Sequence, residues 1–311
     1  MPNIVTLTFS PSIDKSTSVP ALIPGKKLKC STPKLEPGGG GINVARAIKK
    51  LRGEALAVYP AGGQTGKHFN ALLEAEAVPV VIIKTKKETR ENIIVLDEST
   101  NQQYRFGMPG TELSESECQQ CFNVIEEMKN VEFIVASGSL PPGAPLDVYA
   151  RLAVMAKKKK AKLVVDTSGE ALKHAANEGV YLLKPNLGEL SSLLGIGRIN
   201  VQEIEKIAKL VIDKGHCEVL VISMGEAGAI IATKNEMYRA VPPVAKRRSV
   251  VGAGDSMVAG IVLALSKNKN LKEALQYGVA CGTAATMNPG TELCKLQDVE
   301  DLYQKIVVGE K

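Results

Sequence analysis

Residues 250–265 read VVGAGDSMVAGIVLAL, small residues leading straight into an apolar run of helical period. Gly252, Ala253 and Gly254 would leave backbone amides unobstructed at the start of that helix, where the positive pole of the helix dipole also lies. Negative charge building on a transferring phosphoryl group would be stabilised there. Asp255 follows at once, placed to accept a proton from an attacking hydroxyl while the amides hold the phosphate under attack. The plain alternative is a turn followed by an aspartate that caps a helix.

A second segment, residues 36–51 (EPGGGGINVARAIKKL), runs Gly38, Gly39, Gly40 and Gly41 into Asn43 and another helical pattern. Consecutive glycines let a backbone approach a ligand closely, and an asparagine amide offers both donor and acceptor to sugar hydroxyls. Asp14 ends SPSID, read as the close of the first strand, where a carboxylate would face the ligand edge of a doubly wound sheet. Taken alone, an aspartate there is as readily a turn former. Residues 61–68 (AGGQTGKH) imitate a Walker loop but put Ala61 in place of the first glycine and His68 in place of the Ser or Thr that would hold magnesium. They read as an ordinary strand-to-helix loop, with Gly66 and Lys67 near the site at most.

Elements must carry these residues to one place. Short β-branched runs (IVTLTF, ALAVYP, VPVVIIK, FIVAS, KLVVD, VLVIS) alternate with helix-period segments (GINVARAIKKL, HFNALLEAEA, VYARLAVMA). That alternation predicts an α/β fold, a doubly wound, mainly parallel sheet flanked by helices. Residues 15–37 and 89–110 break the rhythm with polar–apolar alternation and turn signals, and read as antiparallel excursions. The expected organisation is an α/β body of residues 1–14, 38–88 and 111–311, with 15–37 and 89–110 forming a small antiparallel β lid. A sheet of that size has nothing of its own to cover its apolar face, so it should lie over the site mouth, pair with a second copy as a homodimer, or both.

The 311 residues are 44% hydrophobic and 23% charged, enough for a large buried core. A net charge of +6 suits small anionic ligands without marking nucleic-acid binding. The six cysteines read as reduced thiols of a cytoplasmic protein, and the Cys118–Cys121 pair lacks the further ligands of a metal site. His68, His174 and His216 show no metal or triad spacing. Residues 157–160 (KKKK) follow a helical run and suit its C-terminal pole. No apolar run is long enough to span a bilayer, and nothing suggests a membrane or nucleic-acid partner.

Taken together, VGAGDSMVAG and GGGGINVARA resemble the signature pair of the ribokinase-like carbohydrate kinases, also called the phosphofructokinase B family, and the similarity runs along essentially the whole chain. TLTFSPSID, GKKLKC, TREN, YRFGMPG, SGSLPPG and KPNLGEL look like the branch that acts on phosphosugars: the minor bacterial type of 6-phosphofructokinase, with 1-phosphofructokinase and tagatose-6-phosphate kinase beside it. The resemblance implies an ATP- and magnesium-dependent transferase of glycolysis that phosphorylates a hexose phosphate. Asp14, the glycines and Asn43 would hold the sugar, and Arg90 and Ser139 the phosphate it already carries, which guanidinium grips bidentately. Lys27 and Lys29 would add charge from the lid.

On the nucleotide side the resemblance implies that Lys184, Asn186 and Glu189 organise the ATP phosphates and magnesium, the metal held largely through water. Ser223, Gly225 and Gly228 would line the nucleotide bed, and Ser249, Val251, Ala285, Asn288 and Gly290 fall where relatives place a monovalent cation, often potassium. Glu292 departs from the family pattern, which tends to Arg there. A nucleoside or unphosphorylated-sugar kinase would share GAGD but leave Arg90 without a partner. A catalytically silent sugar-phosphate sensor would have no use for Asp255, Asn186 and Glu189 together.

Overall fold

The β-branched runs form strands and the helix-period runs form helices in a computed structural model that describes residues 2–311. β1 (Ile4–Leu7) leads to β2 (Ser12–Val19), β3 (Lys34–Gly38), α1 (Gly40–Lys50), β4 (Leu56–Gly62), α2 (Gly63–Ala75), β5 (Val80–Thr85), β6 (Arg90–Asp97) and β7 (Gln102–Phe106). Next come α3 (Glu115–Glu127), β8 (Phe133–Ser137), α4 (Val148–Lys159), β9 (Lys162–Asp166), α5 (Gly169–Glu178), β10 (Val180–Leu183), α6 (Leu187–Leu194), α7 (Ile204–Asp213) and β11 (Cys217–Ser223). The last elements are β12 (Ala229–Ala232), β13 (Met237–Val241), α8 (Ala253–Ser266), α9 (Leu271–Thr286), α10 (Leu296–Tyr303) and β14 (Val307–Glu310).

The large sheet has ten strands in the order β14-β13-β12-β11-β10-β9-β8-β1-β4-β5. From β5 to β11 the pairing is parallel, and β12, β13 and β14 continue the far side antiparallel. The parallel strands are buried on both faces, which is why FIVAS and KLVVD are continuous apolar runs rather than alternating ones. One apolar layer packs α1, α8 and α9 on one face, and a second packs α3, α4, α5 and α7 on the other. Strand order reverses around β1, whose neighbours are β4 and β8, so a crevice opens at the carboxyl ends of these strands.

The second sheet, β3-β2-β6-β7, contains two antiparallel pairs, β2 with β3 and β6 with β7, joined by a parallel seam between β2 and β6. The seam is parallel because β2 and β6 leave the body after β1 and β5, two parallel strands, and so depart in the same direction. Asp14 does not end the first strand. β1 stops at Leu7, the Ser10–Pro11 step lies outside any strand, and Asp14 sits inside β2, in the small sheet. Two of the four lysines at 157–160 reach from the end of α4 to carbonyls at the ends of neighbouring helices, Lys157 to Glu178 of α5 and Lys159 to Glu126 and Met128 at the end of α3. Among the described residues no helix is long and apolar enough to cross a membrane.

The glycine run is a packing device before it is anything else. A Cβ on Gly41 would stand 2.6 Å from Thr8 Oγ1 and 2.7 Å from the Leu7 carbonyl, so α1 can start against β1 only without one. Gly41→Ala should therefore lose about 1–3 kcal/mol of unfolding free energy. Gly197→Ala, at an exposed position with open space around it, should change stability by less than about 0.5 kcal/mol. Urea titrations of both variants check this, and equal effects would refute the packing argument.

Candidate active site

Ser137, Asp166 and Ser223 are the last residues of β8, β9 and β11, and Lys184 follows β10 directly, so the parallel sheet delivers all four to its carboxyl edge. α8 points its N-terminus at the same edge. Gly252 adopts φ +73° to begin it, and no side chain caps it. Helices α3, α6 and α9 each carry a full capping box at their starts. The start of α2, in the Walker-like segment, is also occupied: Glu88 accepts from the amides of Gln64 at 3.0 Å and Thr65 at 2.9 Å. The α8 amides are thus left open to an anion where those of α2 are not.

Asp255 lies in the first turn of α8. Its Oδ2 accepts from Asn43 Nδ2 at 2.9 Å and its Oδ1 from Ser137 Oγ at 3.4 Å. Burial and the nearby Asp166 carboxylate raise the Asp255 carboxyl from 3.8 to about 6, against the opposing pull of Asn43, Lys184 and Ser137. Lys184 is 5% exposed and its Nζ lies 3.0 Å from Asp166 Oδ1. Burial drags its ammonium pKa down, but Asp166, Glu189 and Asp255 outweigh that and keep it charged. Neither Ser137 nor Asp166 stood out in the sequence; their signal is position at a strand end, and their partners are far away in the chain.

The seam of the small sheet brings together residues expected to hold the sugar. Ser12 pairs with Arg90 and Asp14 with Asn92, and alternate residues of a strand share a face. Asp14 Oδ1 accepts from Ser12 Oγ and Asn92 Nδ2, both at 2.9 Å, and burial raises its carboxyl pKa above the usual value. A Cβ on Gly38 would collide with Asp14, and one on Gly40 with Ser137. Arg90 donates to the carbonyls of Met108 at 2.8 Å and Ser10 at 3.1 Å, while its buried Nε has no partner. Asn92, the last residue of TREN, has no signal of its own in the sequence and is the second member of this face. Ser139 is exposed on the loop after β8, and Lys27 and Lys29 are exposed on the loop between β2 and β3.

Asn186 and Glu189 form the capping box of α6: Asn186 Oδ1 accepts from the Glu189 amide at 2.9 Å, and Glu189 Oε2 accepts from the Asn186 amide at 2.8 Å. The other Glu189 oxygen and Asp166 Oδ2 remain for a cation, and burial followed by Asp166 repulsion raises the Glu189 pKa. Among the described residues no cluster of three or more His, Cys, Asp or Glu could hold a metal by itself. This donor set fits magnesium that keeps waters and shares its coordination with phosphates. Ser223 bridges to Asn186, and Gly225 and Gly228 follow with φ +60° and +88° on the adjoining turn. Ser249 donates its amide to Thr286 O at 3.2 Å and accepts from the Val251 amide on its Oγ at 3.1 Å. Ala285, Asn288 and Gly290 lie on or just beyond the end of α9, so the two segments of the expected cation site are neighbours. Glu292 pairs with Lys34 of β3 at 2.7 Å and Lys295 at 3.3 Å.

A parallel body with an open helix start at its carboxyl edge and a small sheet over the crevice is the ribokinase-like fold. Residues 11–298 match the pfkB family carbohydrate kinase, and the chain belongs to that family. It is 43% identical over 304 residues, 97% of this chain and 98% of the other, to the ATP-dependent 6-phosphofructokinase isozyme 2 of Escherichia coli (strain K12). The crystal structure of phosphofructokinase-2 from Escherichia coli in complex with substrates and products superposes with TM-score 0.94 at 43% identity, covering 97% of this chain and 98% of that one. The same enzyme in complex with potassium gives TM-score 0.93 at 43% identity over 98% and 99% of the two chains.

The unfolded chain releases the Asp255 proton near 3.8 and the folded chain near 6, so between those values the folded state holds more protons and stability falls as pH rises. Asp255→Asn should therefore be more stable than the parent at pH 8 by about 1–3 kcal/mol, with the gap closing toward pH 4. Urea titrations at both pH values decide it; a less stable variant at pH 8 would remove the strained carboxylate.

Proposed function

We propose that the chain is an ATP-dependent 6-phosphofructokinase, converting fructose 6-phosphate and ATP to fructose 1,6-bisphosphate and ADP. The observation that carries this reading is Asp255, raised to about 6 and held by Asn43 at the uncapped start of α8. Its match to a 6-phosphofructokinase across nearly the full length of both chains supports the choice of substrate. Above pH 6 Asp255 is ionised and can take the proton of the sugar hydroxyl as that oxygen attacks the γ-phosphorus in line. The amides of Ala253, Gly254 and Asp255 then face the developing charge on the equatorial oxygens. Lys184 holds the phosphates, with Asp166 keeping it charged and extended.

Magnesium arriving with the nucleotide would neutralise phosphate charge, with Glu189 and Asp166 as the carboxylates within its reach. Asp14 and Asn92 would take sugar hydroxyls, and Arg90 the phosphate already present, its free Nε included. The small sheet covers these groups and would exclude water when the substrates are seated. Its opposite side carries Ile93, Tyr104 and Phe106, 38%, 38% and 46% exposed, and we read it as the contact with a second copy. Potassium beside the α8 loop, at the carbonyl-rich end of α9, is part of the same reading; it is bound in the solved relative.

Asp255→Asn should cut kcat by at least about 100-fold. Arg90→Ala should raise KM for fructose 6-phosphate far more than KM for ATP. Purified protein should turn over fructose 6-phosphate with a higher kcat/KM than fructose 1-phosphate or tagatose 6-phosphate; preference for either of those would reassign the substrate, and near-normal turnover by Asp255→Asn would remove the base. For the second copy, Phe106→Lys should shift the sedimentation coefficient from dimer to monomer, and an unchanged dimer would place the contact elsewhere.

A further inference from the structure

Arg46 has no part in the chemistry above, yet it is the largest of the fully buried side chains, 1% exposed. Its Nε and Nη2 grip Glu76 at 2.9 and 2.6 Å, just past the end of α2. Nη1 donates to the carbonyl of Pro37 at 2.7 Å, to that of Thr291 at 3.3 Å and to Asn43 Oδ1 at 3.3 Å. Glu36 Oε1 lies 3.8 Å away and its Oε2 accepts from the amide and hydroxyl of Thr291. A guanidinium taken wholly out of water needs such a set of acceptors to be tolerated at all.

Asn43 precedes Arg46 by three residues on α1, so their side chains share a face. Its amide has two unlike ends, and both are used. The oxygen accepts a hydrogen bond from Arg46, and the nitrogen donates one to Asp255. Turning the amide over would point its oxygen at the Asp255 carboxylate and its NH2 at the guanidinium, two repulsive contacts in place of two attractive ones. Arg46 therefore decides which end of Asn43 the base meets.

We propose that Arg46 is a positioning residue for phosphoryl transfer, fixing Asn43 toward Asp255 and tying that orientation to β3 and to the 288–293 loop. The inference rests on Asp255 as the base. β3 is part of the small sheet and runs into the glycine run, and Thr291 stands beside the expected cation site, so lid strand, cation loop and base all hang on one buried guanidinium. The groups facing Asp255 come from four elements or their ends: Asn43 of α1, Ser137 of β8, Asp166 of β9 and Lys184 after β10. Those facing Arg46 are Glu36 of β3, Asp14 of β2 and Glu76.

A double-mutant cycle on kcat tests it, with Arg46→Lys, Asn43→Ala and the two combined. Arg46→Lys keeps the charge but cannot span Glu76 and Asn43 together, and should lower kcat by about 10-fold or more with KM for ATP nearly unchanged. The double variant should be no worse than Asn43→Ala within about 2-fold, because both changes break one chain of contacts. The acid limb of the kcat profile should move to higher pH in both single variants. Should Arg46→Lys fail to fold, Arg46→Met with Glu76→Met removes the charges as a pair while deleting the same contact, and the same non-additivity is expected. Effects that multiply, with the acid limb unmoved, would make Arg46 structural only. An inactive Asp255→Asn beside a multiplying cycle sinks this inference alone, whereas an active Asp255→Asn sinks the reading beneath it.

Discussion

Everything in the crevice answers to one imbalance: two carboxylates, Asp255 and Asp166, share a single buried ammonium, Lys184, in a place poor in water. Paired to Asp166 at 3.0 Å, Lys184 reaches Asp255 only through space, so Asp255 keeps a proton more tightly than a free aspartate would. That is the condition for a carboxyl group to exchange a proton near neutrality. The cost is borne by the surroundings, which supply neutral donors from Asn43 and Ser137 and leave the first amides of α8 without a cap. Capping that helix with a side chain, as α3, α6 and α9 are capped, would stabilise it and close the site.

The division of labour between the two sheets follows from their pairing. The central strands of the large sheet are buried on both faces and bring Ser137, Asp166 and Lys184 to fixed places. The small sheet holds Asp14, Asn92 and Arg90 on one side through the register of β2 against β6 and bears exposed apolar residues on the other. Asp14, Asn92 and Arg90 therefore ride on the part with fewer buried neighbours, the part of a structure that opens at the lowest free energy.

The sequence made some of this legible and hid the rest for definite reasons. Apolar period and chain order were enough for the α/β class, for the two excursions and for the open helix start at GAGD, because each is written in contiguous residues. The family resemblance, now matched over residues 11–298, pointed to the phosphosugar branch. Asp166 and Ser137 escaped because a strand-terminal Asp or Ser looks like any other until neighbouring strands are laid side by side. Arg46 escaped because its partners Glu76 and Thr291 lie 30 and 245 positions away. Asp14 reads as the close of the first strand because nothing local tells that Pro11 separates two strands belonging to different sheets. The parallel seam was hidden for the same reason: local alternation identifies a strand but not the direction of its neighbour.

That seam has a kinetic side. Its strands, residues 12–19 and 90–97, bracket the stretch that forms β3, α1, β4, α2 and β5, so β2–β3 and β6–β7 can pair locally but the seam that joins them cannot. Closing so long a loop is costly unless the intervening βα units have already folded and shortened the gap. Assembly of the small sheet is thereby deferred until the first βα units of the body exist, while the strand ends that deliver Ser137, Asp166 and Lys184 come from later in the chain and can join afterwards.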